Sequence, residues 1–295
     1  MKKPQRNKKP RIGFIGQGWV GKNYSDDFEK RGYEVTRYSL EVPYVYNKEK
    51  IAECDIVFIA VPTPTTPQGF NDTIIDAVLP LVGKGKVVVL KSTLLPGRTK
   101  VFQDKYKDIV ILNSPEFLSR KTAALDAAHP ERNIIGMTIN SQRQKRAAQK
   151  VLSVLPKSQF DIICTSEESE FIKYAHNVNG YIQVVFSNLL FDLAHSLTLN
   201  WSTLAKAFKA DPHMSHRYLN PVDDKGRGAG GDCFIKDFEA FLKMYSHSTK
   251  DKIGIEILRG IRDKNVELLT STGKDLGLLE AVYGRTKIKK LKSKA

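Results

Sequence analysis

The sequence predicts an α/β protein: a doubly wound parallel sheet, then an all-α domain built on one long helix. Three observations carry this expectation. Short β-branched runs alternate with helical stretches through the first half, near-continuous as in strands buried on both faces. A glycine-rich turn separates the first strand from the first helix. After residue 165 apolar residues recur at helical spacing, and no proline intervenes before Pro212.

The elements follow in order. Arg11-Ile-Gly-Phe-Ile-Gly reads as a buried strand, followed by Gly16-Gln-Gly-Trp-Val-Gly21 and a helix to about Arg31. Further strands are expected at Tyr33–Ser39, Asp55–Val61, Lys86–Leu90, Asp108–Leu112 and Asn133–Ile139. Two end in Pro62-Thr63-Pro-Thr and Lys91-Ser-Thr93, a third in Asn113-Ser-Pro-Glu-Phe-Leu118, and ligands of this fold class gather at such ends. Ser166-Glu-Glu-Ser-Glu reads as a capped helix start with acids in the first turn. Phe171, Ala175, Val178, Ile182, Val185, Leu189 and Leu193 then mark one stripe. A helix of about 30 residues results, long enough to be a domain spine and the core of a homodimer. A shorter helix runs from Trp201 to about Ala210. Residues 211–232 read as loop, including Asp223-Asp-Lys-Gly226 and Gly226-Arg-Gly-Ala-Gly-Gly231. Helices resume from Phe234 and from Lys250 to Leu269. The expected division is a basic, disordered tail (1–10), a Rossmann-type domain (11–165), a helical dimerisation domain (166–275) and a basic C-terminal tail (276–295).

Composition narrows the function classes. Of 295 residues, 41% are hydrophobic and 27% charged, ordinary for a globular enzyme. No apolar run approaches the ~20 residues of a membrane helix. The start, Met1-Lys-Lys-Pro-Gln-Arg, has no apolar signal region. Cys54, Cys164 and Cys233 are too few for a disulfide scaffold and lack zinc-ligand spacing, and the histidines form no metal triad, so no metal is expected. A reducing, cytoplasmic setting is the expectation. The net charge of +15 suggests nucleic acid until it is located. Residues 1–11 and 284–295 each hold six Lys/Arg and no acid; without these twelve of 47, 35 basic residues face 32 acidic, a net +3. The basicity sits in two ends, read as solvated tails rather than as contacts to nucleic acid or an anionic surface.

Gly16-x-Gly18-x-x-Gly21 between a strand and a helix lets the backbone, with Trp19 and Val20, approach a pyrophosphate at the helix N-terminus. An acid about 20 residues on normally takes the ribose hydroxyls; that count lands on Ser39, with Arg37 and Glu41 beside it. A serine lacks the charge that repels a 2′-phosphate, so NAD and NADP both stay open. Cys233 follows a glycine run and precedes a helix, a setting that favours thiolate. Asp237 lies one helical turn after it, as Asn177 lies one turn after Lys173. Cys54 and Cys164 border strands and read as core thiols. Lys173 is also spaced to pair with Glu170 as a surface lysine.

Taken together, Gly16-Gln-Gly-Trp-Val-Gly, Val61-Pro-Thr-Pro, Lys91-Ser-Thr-Leu-Leu-Pro-Gly, Ser114-Pro-Glu-Phe-Leu, Glu170-Phe-Ile-Lys-Tyr-Ala-His-Asn and Gly230-Gly-Asp-Cys-Phe-Ile-Lys-Asp resemble the UDP-glucose/GDP-mannose dehydrogenase family. The resemblance implies a Rossmann domain, a helical central domain and a C-terminal nucleotide-binding domain. It implies oxidation of a sugar alcohol to a carboxylate with two NAD through a thioester on Cys233. Asp237 would help activate water, Lys173 and Asn177 would hold the oxyanion, and Thr93 would sit near the reacting hydroxyl. Glu116, with Phe117 and Leu118, would line the substrate site. Lys236 would lie beside the cofactor phosphates, with Thr63 among the cofactor contacts. Tyr218, Asn220 and Gly230 would contact substrate from the loop ahead of Cys233.

Three departures qualify the match: Arg120 stands where the family has a second acid, Ile235 where it has proline, and Ser39 where it has the ribose-binding acid. Only about 25 residues follow the central domain, so a shortened enzyme is expected, its nucleotide half held by a partner subunit, the Tyr218–Gly231 loop or the basic tail. The leading reading is a nucleotide-sugar 6-dehydrogenase. The alternatives are a dehydrogenase for a smaller or altered substrate, and a catalytically silent binding or regulatory relative.

Overall fold

The computed structural model describes residues 9–292. Its first elements are β1 (Ile12–Ile15), α1 (Trp19–Lys30), β2 (Val35–Tyr38), β3 (Ile56–Ile59), β4 (Thr65–Thr66), β5 (Gly69–Phe70), α2 (Thr73–Val78) and β6 (Val87–Leu90). Next come α3 (Arg98–Lys105), β7 (Val110–Asn113), α4 (Ala123–Ala128), β8 (Arg132–Met137), α5 (Gln142–Val154) and β9 (Phe160–Thr165). The remainder is α6 (Ser166–Ser196), α7 (Trp201–Ala210), β10 (Val222–Asp223), β11 (Gly226–Arg227), α8 (Gly231–Ser248), α9 (Lys252–Ser271), α10 (Leu276–Tyr283) and α11 (Arg285–Lys292). They divide into two units, residues 1–63 with 72–173, and residues 64–71 with 174–295.

The first unit is a seven-stranded sheet in the order β2-β1-β3-β6-β7-β8-β9. β1 pairs in parallel with β2 on one side and β3 on the other, so the chain reverses its direction of winding at β1/β3. Ligands of doubly wound sheets bind at such a switch point. Ile12, Phe14, Ile56, Phe58, Val87, Val89 and Leu112 fill the core beneath it. Phe14 and Phe58 stack at 4.9 Å.

The sheet departs from the parallel expectation at one place. β8 is antiparallel to β7, through Leu112↔Met137 and Asn113↔Gly136, and β9 then runs parallel to β8. The connection contains only α4, six residues and so about 9 Å of helix. That is short of the return a parallel crossover needs, and β8 enters from the end where β7 leaves. β9 is a seventh strand that the sequence did not announce, an exposed edge carrying Phe160 and Ile162 on the surface.

In the second unit two apolar clusters hold the helices. Val178, Tyr181, Val185, Ala229 and Phe238 form one, with Tyr181 and Phe238 stacked at 4.0 Å. Ile235, Val266, Leu269, Leu279, Val282, Tyr283 and Ile288 form the other. The small β4–β5 hairpin, residues 64–71, groups with these helices rather than with the 11–165 domain expected to contain it.

Further expectations are corrected. The first residue of α6 is Ser166, but its cap is Thr165: the Thr165 hydroxyl accepts from Glu168 N (3.2 Å), and Glu168 accepts from Thr165 N (2.8 Å). Residues 222–227 form a β10–β11 hairpin where a loop was expected. Residues 276–292 are two helices rather than a tail, because Leu279, Val282, Tyr283 and Ile288 supply an apolar stripe beneath the basic residues, and Lys287 pairs with the buried Glu239 at 2.9 Å. Lys9, expected within the N-terminal tail, donates to Arg31 O (2.6 Å) and lies over the Tyr33 ring. The rest of the basic-tail expectation, residues 1–8 and 293–295, lies outside the described residues.

Candidate active site

Within the first unit the glycine turn sits where β1 meets α1. Gly16 has φ +92°, and a Cβ there would run into Ala60 O; one on Gly21 would run into Gly16 O. Both glycines are therefore demanded by the protein's own backbone. Gly18 differs: it is the N-cap of α1, has ordinary φ, and a Cβ there would meet nothing within 4 Å. Its position leaves open space at a helix end whose first N–H groups lack partners in the helix. Trp19 and Val20 open α1, so the helix begins within the glycine motif rather than after Gly21. The residues present thus fit a dinucleotide pyrophosphate.

Ser39 directly follows β2, and its hydroxyl accepts from Glu41 N at 3.3 Å. Arg37, the neighbouring cation, is held by Asp26 and Glu29, each at 2.7 Å. Thr63 is buried and donates to Thr93 O (2.7 Å), while Ser92 bridges both backbone polar groups of Val61. The strand-end loops that carry Thr63 and Thr93 are tied together in this way.

Beyond β7, Glu116 and Lys173 are both buried and form an ion pair at 2.9 Å; Lys173 also donates to Glu116 O at 2.6 Å. Burial alone would raise the Glu116 pKa, but the Lys173 charge and hydrogen bond, the Leu118 N–H and Lys91 together hold it below the usual carboxylate range. Lys173 is thus not the surface partner of Glu170. It packs over the Phe117 ring at 5.3 Å, and Leu118 follows, half-buried. Glu170 instead accepts from Gly97 N (2.6 Å), Thr99 N (2.8 Å) and Thr99 Oγ1 (2.6 Å), capping α3.

In the second unit Cys233 occupies the first turn of α8, with Gly230 as N-cap. Asp237, 1% exposed, lies one turn further. It accepts from Asn177 Nδ2 and from Lys236 Nζ, both at 2.6 Å. Lys236 is therefore engaged by a carboxylate of its own helix. Tyr218 packs edge-on to Phe234 at 5.6 Å, and both rings crowd Gly180, where a Cβ would lie 3.0 Å or less from each. Asn220 is exposed. The loop before α8 is fixed by residues that sequence reasoning passed over. Asn265 brackets Ala229, accepting from its N (2.6 Å) and donating to its O (3.0 Å). Asp275 accepts from Gly231 N (2.7 Å), and Lys274 donates to Gly228 O (2.9 Å).

Known families match both units over much of their length. Residues 38–155 match the NAD binding domain, and residues 167–267 the central domain, of the UDP-glucose/GDP-mannose dehydrogenase family. The chain belongs to that family. A UDP-glucose 6-dehydrogenase of Rickettsia conorii is 28% identical over 278 residues, which cover 84% of this chain and 62% of the Rickettsia protein. The chain thus spans less than two thirds of that relative's length. A UDP-glucose dehydrogenase structure from Pyrobaculum islandicum superposes with a TM-score of 0.74 at 23% identity, over 91% of this chain and 72% of that one. A 3-hydroxyisobutyrate dehydrogenase structure from Mycobacterium tuberculosis gives 0.70 at 16% identity, over 96% and 99%. Both likenesses concern the fold.

Within this chain of the UDP-glucose/GDP-mannose dehydrogenase family, the three cysteines are set apart by their surroundings. Burial raises the Cys54 pKa, and burial with the Glu168 charge pushes Cys164 up to about 11. Cys233 alone lies at a helix N-terminus. Lys91 is a further buried cation that sequence reasoning left unassigned: it donates to Ser114 Oγ (3.1 Å), lies over the Tyr24 ring, and is pushed down to about 8 by burial. Its place just after the apolar Val87–Leu90 strand was the available signal. No helix among the described residues is long and apolar enough to cross a membrane.

Proposed function

We propose that this chain oxidises the C6 primary alcohol of a nucleotide sugar to the carboxylate, through a thioester on Cys233. The observation that carries the reading is the placement of Cys233 in the first turn of α8, one turn from a buried Asp237 bonded to Asn177. A bound nicotinamide dinucleotide would supply a hydride acceptor for each of two oxidations. The protein's own groups do the rest. Lys173, fixed by Glu116, stabilises the negative oxygen as the alcohol proton passes to a water beside Thr93 and the first hydride leaves C6, giving the aldehyde. The Cys233 thiolate, favoured by the helix end, adds to the aldehyde carbon and forms a C–S bond. Asn177 and Lys173 hold the resulting oxyanion, and loss of the second hydride leaves the thioester. Asp237 takes a proton from water as the C–S bond breaks, returning the thiol and releasing the acid. Thr93 orients the reacting hydroxyl, and Phe117, Leu118, Tyr218, Asn220 and Gly230 contact the sugar nucleotide.

NAD is the proposed cofactor, because two carboxylates already occupy Arg37, the cation next to Ser39 that could take a 2′-phosphate. Cofactor reduction across nucleotide sugars, with NAD and with NADP, tests the reading. Two equivalents reduced per sugar are expected; no reduction with any nucleotide sugar would overturn it. A single equivalent with small hydroxy acids alone would favour the smaller-substrate reading, whose support is the shared architecture of the mycobacterial enzyme. Gly18→Val should cost only about 1 kcal/mol, as an N-cap change at a position where a Cβ meets no atom beyond the chain neighbours. It should still weaken dinucleotide binding by at least about tenfold in calorimetric titration.

We further propose a homodimer through α6. Val178 and Val185 are buried inside the unit, while Phe186, Leu189 and Leu193 stand exposed on its last three turns at spacings of three and four, with Leu197 exposed just beyond its end. Sedimentation velocity at micromolar concentration should give twice the 33.2 kDa of one chain. A species of single-chain mass would refute the dimer.

A further inference from the structure

Lys91 directly follows β6 and is 4% exposed. An ammonium so deep in the protein is costly, and a methionine of similar length would fill the space without that cost. Packing alone therefore does not call for a lysine here. Its Nζ donates to Ser114 Oγ at 3.1 Å and lies 4.5 Å from the centre of the Tyr24 ring of α1. Both of these partners are neutral. Two charges act on Lys91: Glu116, two residues after Ser114, favours its proton, and Lys173 of α6 opposes it. Against its own burial, Glu116 is held below the usual carboxylate range by Lys173 first and by Lys91 as well. One carboxylate thus serves two ammonium groups, and all three are buried within the first unit. Lys173 and Glu116 alone are a neutral pair, with little charge to offer a developing oxyanion. Lys91 brings the trio to a net positive charge in a low-dielectric setting, where such a charge acts strongly.

We propose that Lys91 is a positioning residue for the oxyanion: through the Glu116 carboxylate that it shares with Lys173, it leaves Lys173 a positive charge to present to the negative oxygen. The proposal rests on the role given to Lys173 above. It needs no contact between Lys91 and substrate. Support of this kind is felt where negative charge develops, so it raises kcat more than it lowers KM. Burial pushes Lys91 down to about 8, and the support should fade as pH rises through that value. The titratable groups that face it are Tyr24 from α1, Glu116 from the segment after β7 and Lys173 from α6. Burial keeps Tyr24 neutral in this range, and Glu116 stays ionised.

The test is the pH dependence of kcat and KM for the full chain, unmodified and as Lys91→Met and Lys91→Arg, with NAD and the nucleotide sugar oxidised fastest by the unmodified chain. Near neutral pH the methionine variant should lose at least about tenfold in kcat, with KM nearly unchanged. The ratio of unmodified to methionine kcat should shrink toward one well above pH 8, where Lys91 has lost its proton. The arginine variant is charged throughout, so it should keep kcat near neutral pH and exceed the unmodified enzyme in alkali. A merely structural role would lower kcat by one factor at every pH. Circular dichroism and NAD titration report whether each variant folds; where one does not, the other decides, and a kcat of the unmodified enzyme with no alkaline fall would count against the proposal by itself. Equal kcat for the methionine variant near neutral pH, or a ratio that stays constant with pH for either variant, would overturn the role of Lys91 and leave the oxidation standing. No cofactor reduction by the unmodified chain with any nucleotide sugar would overturn both.

Discussion

Cys233→Ser should abolish acid formation and leave dinucleotide affinity as it is. A serine hydroxyl keeps the shape of the side chain, but at neutral pH it is not ionised, whereas a thiol at a helix N-terminus is drawn toward thiolate. Without a nucleophile the aldehyde has no covalent route to the second oxidation, and turnover stops at the first stage or before it. The dinucleotide turn lies in the other unit, residues 16–21, and is untouched by the substitution. Mass spectrometry of the unmodified enzyme after mixing with substrate and cofactor should find the adduct on the peptide containing Cys233. Full acid production by the serine variant would end the thioester mechanism.

The second large effect concerns stability and Glu170. Its carboxyl is pushed up to about 7 from 4.5, chiefly by burial and against the pull of the Thr99 and Gly97 donors. A carboxyl whose folded-state pKa exceeds its unfolded value holds its proton more tightly in the folded protein. Its contribution to stability is complete below the unfolded value and is lost as pH rises to the folded one. Between about pH 4.5 and 7 this one group should remove roughly 3 kcal/mol. Glu170→Gln keeps an acceptor for the end of α3 but cannot titrate. Denaturant unfolding across this window should show the unmodified protein losing stability relative to the glutamine variant as pH rises. Parallel curves would refute the assignment.

The dinucleotide turn was legible because its chemistry is local. Gly16, Gly18 and Gly21 are fixed by spacing after a strand, and the structure adds that only Gly16 and Gly21 are demanded by the protein's own backbone. Cys233 and Asp237 were legible for the same reason, four residues apart on one helix. Their partners were harder. Lys173 pairs with Glu116, 57 positions away, rather than with its helical neighbour Glu170, because a buried cation takes the carboxylate that folding brings to it. The reversal of β8 left no mark either: Asn133-Ile-Ile-Gly reads alike in both directions of pairing. At the C-terminus the lysines concealed a stripe, since Ile288 lies between Lys287 and Lys289 and the eye counts charge before period. Asn265, Lys274 and Asp275 gave no signal at all; their importance lies in backbone atoms of a loop far along the chain.

That loop has a thermodynamic consequence. Residues 228–231 are gripped at Gly228, Ala229 and Gly231 by Asn265 of α9 and by Lys274 and Asp275, which lead from α9 into α10. Four glycines in Gly226–Gly231 would otherwise be the loosest part of the chain. Their freedom is given up when the second unit folds, not when substrate arrives, so the ordering entropy is already absent from the binding equilibrium. Cys233 is carried on a mount whose anchor points are Asn265 of α9 and Lys274 and Asp275 just beyond it, and substitutions there should reach Cys233 without touching it.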